Sequence, residues 1–134
     1  MRRFVNDTVV LFAFLYAAGT IAFAIQAKPA LKNPVASTPK SIANGEALFQ
    51  KNCRFCHGAD AKGDGPQAPK DTHPPNLIDA KWDNGSTDAE IFAVIRDGVG
   101  PKYTMKGYNS KMTPQDMWSI INYLRSLGPK DAVR

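Results

Sequence analysis

Apolar positions along this chain form one unbroken run and three shorter periodic ones. The unbroken run, Val9 to Ile25, carries no charge and follows Arg2 and Arg3. A basic start, an apolar stretch and the small residues Ala22, Ala24 and Ala27 near its end mark residues 1–27 as a targeting segment outside the fold. The run is long for the apolar part of an export signal, roughly 7–15 residues, and slightly short for a span of about 20. Cleavage after Ala24 or Ala27 is favoured over retention as an anchor, in which case residues 9–25 hold the chain to the membrane. Both outcomes export the remainder. Residues 28–40 contain Pro29, Pro34 and Pro39 and are expected as an extended linker, a tether if the anchor stays and a loose tail if it is cut.

The three periodic runs predict helices. Ser41 to Lys51 places Ile42, Leu48 and Phe49 on a helix with Gly45 in its interior. That glycine is costly unless another helix crosses there. Thr87-Asp88-Ala89-Glu90 is a capping-box start, Ile91, Val94 and Ile95 share one face, and Gly98 ends the helix near Asp97. Thr113 caps the last helix, with Pro114 at its first position and Asp116 at its positive end. Met117, Ile120, Ile121, Leu124 and Leu127 follow at helical spacing, and Gly128-Pro129 stops it. Gly100-Pro101 forces an irregular segment between the last two helices. No alternating strands and no internal repeat are visible. The expected fold class is all-α.

Between the first two helices lies a stretch that is neither helix nor strand. Gly58, Gly63, Gly65, Pro66, Pro69, Pro74 and Pro75 fall within eighteen residues. A loop that long in a small domain should wrap something. Just before it stands Cys53-Arg54-Phe55-Cys56-His57, which holds the only two cysteines and one of the two histidines. C-x-x-C-H reads as an attachment site for c-type haem. Each thiol can add across one vinyl group to form a thioether, and His57 then stands against the iron as proximal ligand. A zinc site would want four ligands and has no second cysteine pair. A redox dithiol would want a βαβ context, which the flanks lack. A buried haem would also supply apolar volume that so small a core lacks.

Charge adds little. The chain has 17 Lys and Arg against 12 Asp and Glu. Removing residues 1–27 takes away Arg2, Arg3 and Asp7 and leaves 15 against 11. Scattered lysines without a basic helix or aromatic platform argue against nucleic acid. They suit docking to the acidic face of a redox protein partner, with Lys51, Lys102, Lys106 and Lys111 in the segments expected nearest the site.

Several stretches together resemble the class I cytochromes c: Asn44-Gly45-Glu46-Ala47-Leu48-Phe49, Cys53 to Gly58, Gly63-Asp64-Gly65-Pro66, Pro74-Pro75-Asn76-Leu77, and Met105 with Trp118 to Arg125. The resemblance covers about residues 41–128. It is nearest to small bacterial single-haem cytochromes and to haem c subunits of oxidases and dehydrogenases. It implies three to five helices around one covalently attached haem c, with residues 129–134 as a tail. It places Gly45 and Phe49 against the C-terminal helix, and makes a backbone carbonyl of the Pro74–Leu77 stretch, that of Pro75, the acceptor for the proximal histidine's second nitrogen. The family's ligand methionine sits in the loop before the last helix, at the place of Met105; here Lys106 stands where proline is common. Met112, directly before the cap, is the alternative ligand, and Met117 falls on the apolar helix face. Trp82 is expected either to direct its indole N–H to a haem propionate or to be a core aromatic with that N–H on a carbonyl. His73 is expected as a loop residue rather than a second iron ligand. With His57 and Met105 both on iron no open position remains, which implies electron transfer rather than catalysis. The function implied is a periplasmic electron carrier; the alternatives are a haem subunit of a larger oxidoreductase and, with an open sixth site, a catalytic or gas-sensing haem.

Overall fold

The first helix, α1 (Pro39–Asn52), begins where Thr38 turns from extended to helical backbone. The Thr38 hydroxyl accepts from the Ser41 N–H, and the Ser41 hydroxyl accepts from the Thr38 N–H. Two otherwise orphaned donors are thereby satisfied, and Pro39 needs none. The helix therefore starts two residues before the expected Ser41. Its buried face is Ser41, Gly45 and Phe49, one residue every fourth position. The computed structural model from which these observations come describes residues 31–71, 73–79, 82–100 and 104–128. The targeting segment, the start of the linker, Lys102, Pro129 and the C-terminal tail lie outside the described residues.

A single turn, α2 (Arg54–His57), follows at once. The glycine- and proline-rich loop then folds back onto it. The N–H groups of Gly63, Gly65 and Gln67 donate to the carbonyls of His57, Cys56 and Phe55. Those are carbonyls that a four-residue helix leaves open. At Gly65 a side chain would collide with the Phe55 and Cys56 backbone, and Gly63, at φ +84°, would collide with the Pro74 carbonyl. The loop is irregular because it serves as the other half of α2's hydrogen bonding.

The third helix, α3 (Asp88–Asp97), has the expected Thr87–Glu90 capping box and buries Ile91, Phe92 and Ile95. Gly98 ends it at φ +83°. The next segment is not wholly irregular. β1 (Gly98–Val99) and β2 (Met105–Lys106) pair antiparallel, with Val99 opposite Met105. Two residues per strand are too few to show an alternation in sequence.

The last helix, α4 (Pro114–Leu127), has the expected Thr113 cap with Pro114 and Asp116 behind it. All eight residues from Met117 to Leu124 are buried, while Leu127 is exposed. The expected apolar stripe is thus only one side of a helix covered all round. Trp118 stacks on Phe92 with centroids 4.2 Å apart, and Tyr123 packs on Phe49 at 5.5 Å. The side carrying Trp118 and Asn122 is covered by the supposed linker. Asn33 donates to the Trp118 carbonyl and to Asn122 Oδ1, at 3.1 and 2.9 Å. Asn122 Nδ2 donates to the Val35 carbonyl at 3.0 Å and to Ser41 Oγ at 3.2 Å. From Asn33 onward the segment expected as tether or tail is part of the domain. Proline content marks it as non-helical but says nothing of whether it docks.

Candidate functional site

Successive residues around α4 are about 100° apart, which puts Ile120 and Leu124 on the side away from Asn122. That side, with Phe49 of α1 and Ile91, Val94 and Ile95 of α3, forms the apolar wall of a cavity of about 530 Å³. The volume is in the range of cofactor sites. Cys56 and His57 line it from α2 and Cys53 from the junction of α1 and α2, Met105 and Tyr108 from the β2 segment, and Leu77, Trp82 and Pro75 from the loops. The folded chain brings both sulfurs, the imidazole and one thioether to a common space.

The cysteines are free thiols at the two ends of the turn, both half-buried. Burial, and then the neighbouring Cys56, push the Cys53 thiol up to about 12. It stays protonated at neutral pH, and conversion to a thioether would remove a titrating group from the wall. The Cys56 Sγ lies 3.6 Å from the Gln67 carbonyl, which holds the loop against the turn.

His57 is buried, its ring 6.5 Å from that of Phe49. Burial lowers its pKa, so the imidazole is held in the neutral form that ligates metals. Nδ1 is buried and has no hydrogen-bond partner. The expected bond to the Pro75 carbonyl is therefore not formed. The Pro74 and Pro75 carbonyls do crowd Gly63, whose N–H donates to the His57 carbonyl. The acceptors are in the neighbourhood, held by the loop rather than by the ring. A buried unpaired ring nitrogen costs about 1–3 kcal/mol, which is unusual at a position with no further role.

The methionines separate by location. Met105 lines the cavity. Met112 is half-buried and packs on the helical core, and Met117 is within that core. Trp82 lines the cavity with its ring, but its Nε1–H donates to the Asp79 carbonyl at 2.9 Å. His73 is exposed and borders the same space. Lys51, Lys106 and Lys111 are exposed, and Lys106 reaches the cavity's lining. Among the described residues no group of three or more His, Cys, Asp or Glu is placed to hold a metal ion.

Two features of the site were not expected. Arg125 of α4 pairs with Asp88 at 2.8 Å, donates to the Ser86 carbonyl and lies 5.9 Å from the Trp82 ring centre. It fastens the loop that carries Trp82. Tyr108 donates its phenol proton to the Asn52 carbonyl at 2.9 Å. Neither contact has a local motif. Each joins residues far apart in sequence.

Helices in this order, with the C-x-x-C-H turn immediately after the first, are the architecture of the class I cytochromes c. The chain belongs to the cytochrome c family, and the family described as "Cytochrome C oxidase, cbb3-type, subunit III" matches residues 40–124. The cbb3-type cytochrome c oxidase subunit CcoP of Rubrivivax gelatinosus is 37% identical over 94 residues, which are 69% of this chain and 28% of that protein. Cytochrome c-L of Methylorubrum extorquens is 36% identical over 97 residues, 69% of this chain and 44% of that one. The solved cytochrome cL of Methylophaga aminisulfidivorans matches with a TM-score of 0.55 at 26% identity, covering 67% of this chain and 57% of its own. The chain spans well under two thirds of each curated relative. Membership indicates haem c as the cofactor.

Proposed function

We propose that this chain carries one haem c and passes single electrons within a larger membrane-associated oxidoreductase of the terminal-oxidase class, on the outer side of the membrane. The observation that carries the reading is the shared cavity, which joins Cys53, Cys56 and His57 on one side to Met105 on another. Its volume and its apolar walls fit such a group. One C-x-x-C-H sequence supports one haem in this chain.

When bound, haem iron supplies reversible one-electron chemistry. The chain's own residues do the rest. Cys53 and Cys56 would hold the haem through two thioethers, each thiol adding S and H across one vinyl group. His57 and Met105, which line the same cavity, would ligate its iron. Ile91, Ile95, Ile120 and Leu124 exclude water. The Pro74–Pro75 carbonyls are the acceptors offered to a protonated Nδ1. Redox proteins are the partners, and exposed Lys51, Lys106 and Lys111 suit an acidic docking face.

The likeness to an oxidase subunit favours a place in a complex over a free carrier. Among the described residues no helix is long and apolar enough to cross a membrane. Attachment would then run through residues 9–25 or through a partner. The test is isolation of the tagged full-length protein from the membranes of its native host in mild detergent. Recovery with larger haem-containing chains supports the subunit reading. Recovery as a lone monodisperse chain favours the carrier.

A further inference from the structure

Met105 is held by less structure than the groups across the cavity from it. Its own strand, β2, has two residues. Directly after it Gly107 fits against the Arg96 and Asp97 backbone, too close for any side chain. Tyr108 is the next residue able to fasten the segment, and it does so twice. Its N–H donates to the carbonyls of Ile95 and Arg96, at 2.9 and 3.1 Å, closing the end of α3. Its phenol donates to the carbonyl of Asn52 at 2.9 Å. Asn52 is the last residue of α1 and immediately precedes Cys53. The half-buried ring of Tyr108 lines the cavity between these two attachments.

We infer that Tyr108 is a positioning residue for the Met105 side of the site: its phenol bond to Asn52 ties the methionine segment to the cysteine turn and keeps the thioether in place. The inference rests on the reading of Met105 as axial ligand. A bond between positions 52 and 108 fixes the distance between the two sides of the cavity directly. Without it, among the described residues, the Met105 segment is tied through α3, the two-residue strand pair and the turn into α4. Burial, followed by the nearby Cys53 and Cys56, raises the phenol's pKa, so the donor proton is kept across the ordinary pH range.

The test uses full-length, haem-loaded protein and the variant Tyr108→Phe, which removes one hydroxyl and leaves the ring. Imidazole is titrated into the ferric protein, where it must displace the methionine. Its apparent affinity therefore reports the fraction of molecules in which Met105 has let go. Loss of one such hydrogen bond should tighten imidazole binding on the order of 2- to 10-fold. Asn122→Ala is the comparison, because it removes hydrogen bonds on the far side of α4. It should lower the denaturation midpoint and leave imidazole affinity unchanged. Equal imidazole affinity in Tyr108→Phe and wild type would overturn the inference, whatever happens to the midpoint. If wild type itself lacks the near-infrared sulfur-to-iron band, the assignment of Met105 fails, and the inference fails with it for that separate reason.

Discussion

Gly45 of α1 lies so close to the backbone of Ser119 on α4 that an added Cβ would overlap the carbonyl oxygen and carbon. The contact leaves no room for a side chain between the middles of α1 and α4. It also sets Phe49, one turn on, against Tyr123 and the cavity.

Two effects oppose each other in Gly45→Ala. Helix propensity alone favours alanine by about 1 kcal/mol. Overlap with a fixed backbone forces the helices apart and costs on the order of 1–3 kcal/mol or more. Sterics should win, and the denaturation midpoint should fall. A raised midpoint would mean that the helices do not cross at this distance.

Asn122 is buried and holds the chain from Asn33 to Ala36 against α4. Asn122→Ala leaves those carbonyls without their donor, at a cost of about 1–3 kcal/mol. Truncation up to residue 36 should destabilise the domain in the same way. A truncated domain as stable as the parent would show that this segment is a dispensable tail.

Glu90 accepts from the Thr87 N–H and hydroxyl at the start of α3, and these bonds, the backbone one first, hold its carboxyl below the usual range. A depressed pKa in the folded state means that the contribution is complete above the unfolded pKa. It is lost as pH falls through the folded value. Wild type should therefore lose more stability than Glu90→Gln on acidification below the ordinary glutamate range. Parallel acid titrations of the two proteins would show the carboxylate to be irrelevant.

Met105 and Met112 are seven positions apart and differ in surroundings: one faces the cavity and the other the helical core. The oxidised protein should show the weak near-infrared band of methionine sulfur on ferric iron. Met105→Ala should abolish it, and Met112→Ala should keep it while costing less than the roughly 2–5 kcal/mol of a fully buried methionine, since Met112 is half-buried. The reverse pattern would move the ligand to Met112.

Much of this was legible from the sequence, for reasons tied to particular residues. Thr87, Thr113 and Gly98 declare helix ends because capping is local chemistry. Cys53, Cys56 and His57 stand within five residues of one another, so their meeting at one cavity follows from their spacing. Gly45 pointed to a crossing because an interior glycine needs one. The side of α4 that carries Asn122 was not legible, since Asn122 carries no apolar signal and is covered by a segment more than eighty residues away. The Tyr108–Asn52 and Arg125–Asp88 contacts were hidden for the same reason. The Pro75 carbonyl was placed in the right neighbourhood, but its bond to His57 is not made.

The central claim is covalent haem c on Cys53 and Cys56. It is tested most directly by intact-mass measurement of the mature protein under denaturing conditions, after extraction with acidic acetone. The chain should remain coloured and heavier than its polypeptide by one haem, and Cys53→Ala with Cys56→Ala should carry none. A wild-type chain of bare polypeptide mass, with haem in the organic phase, would contradict it.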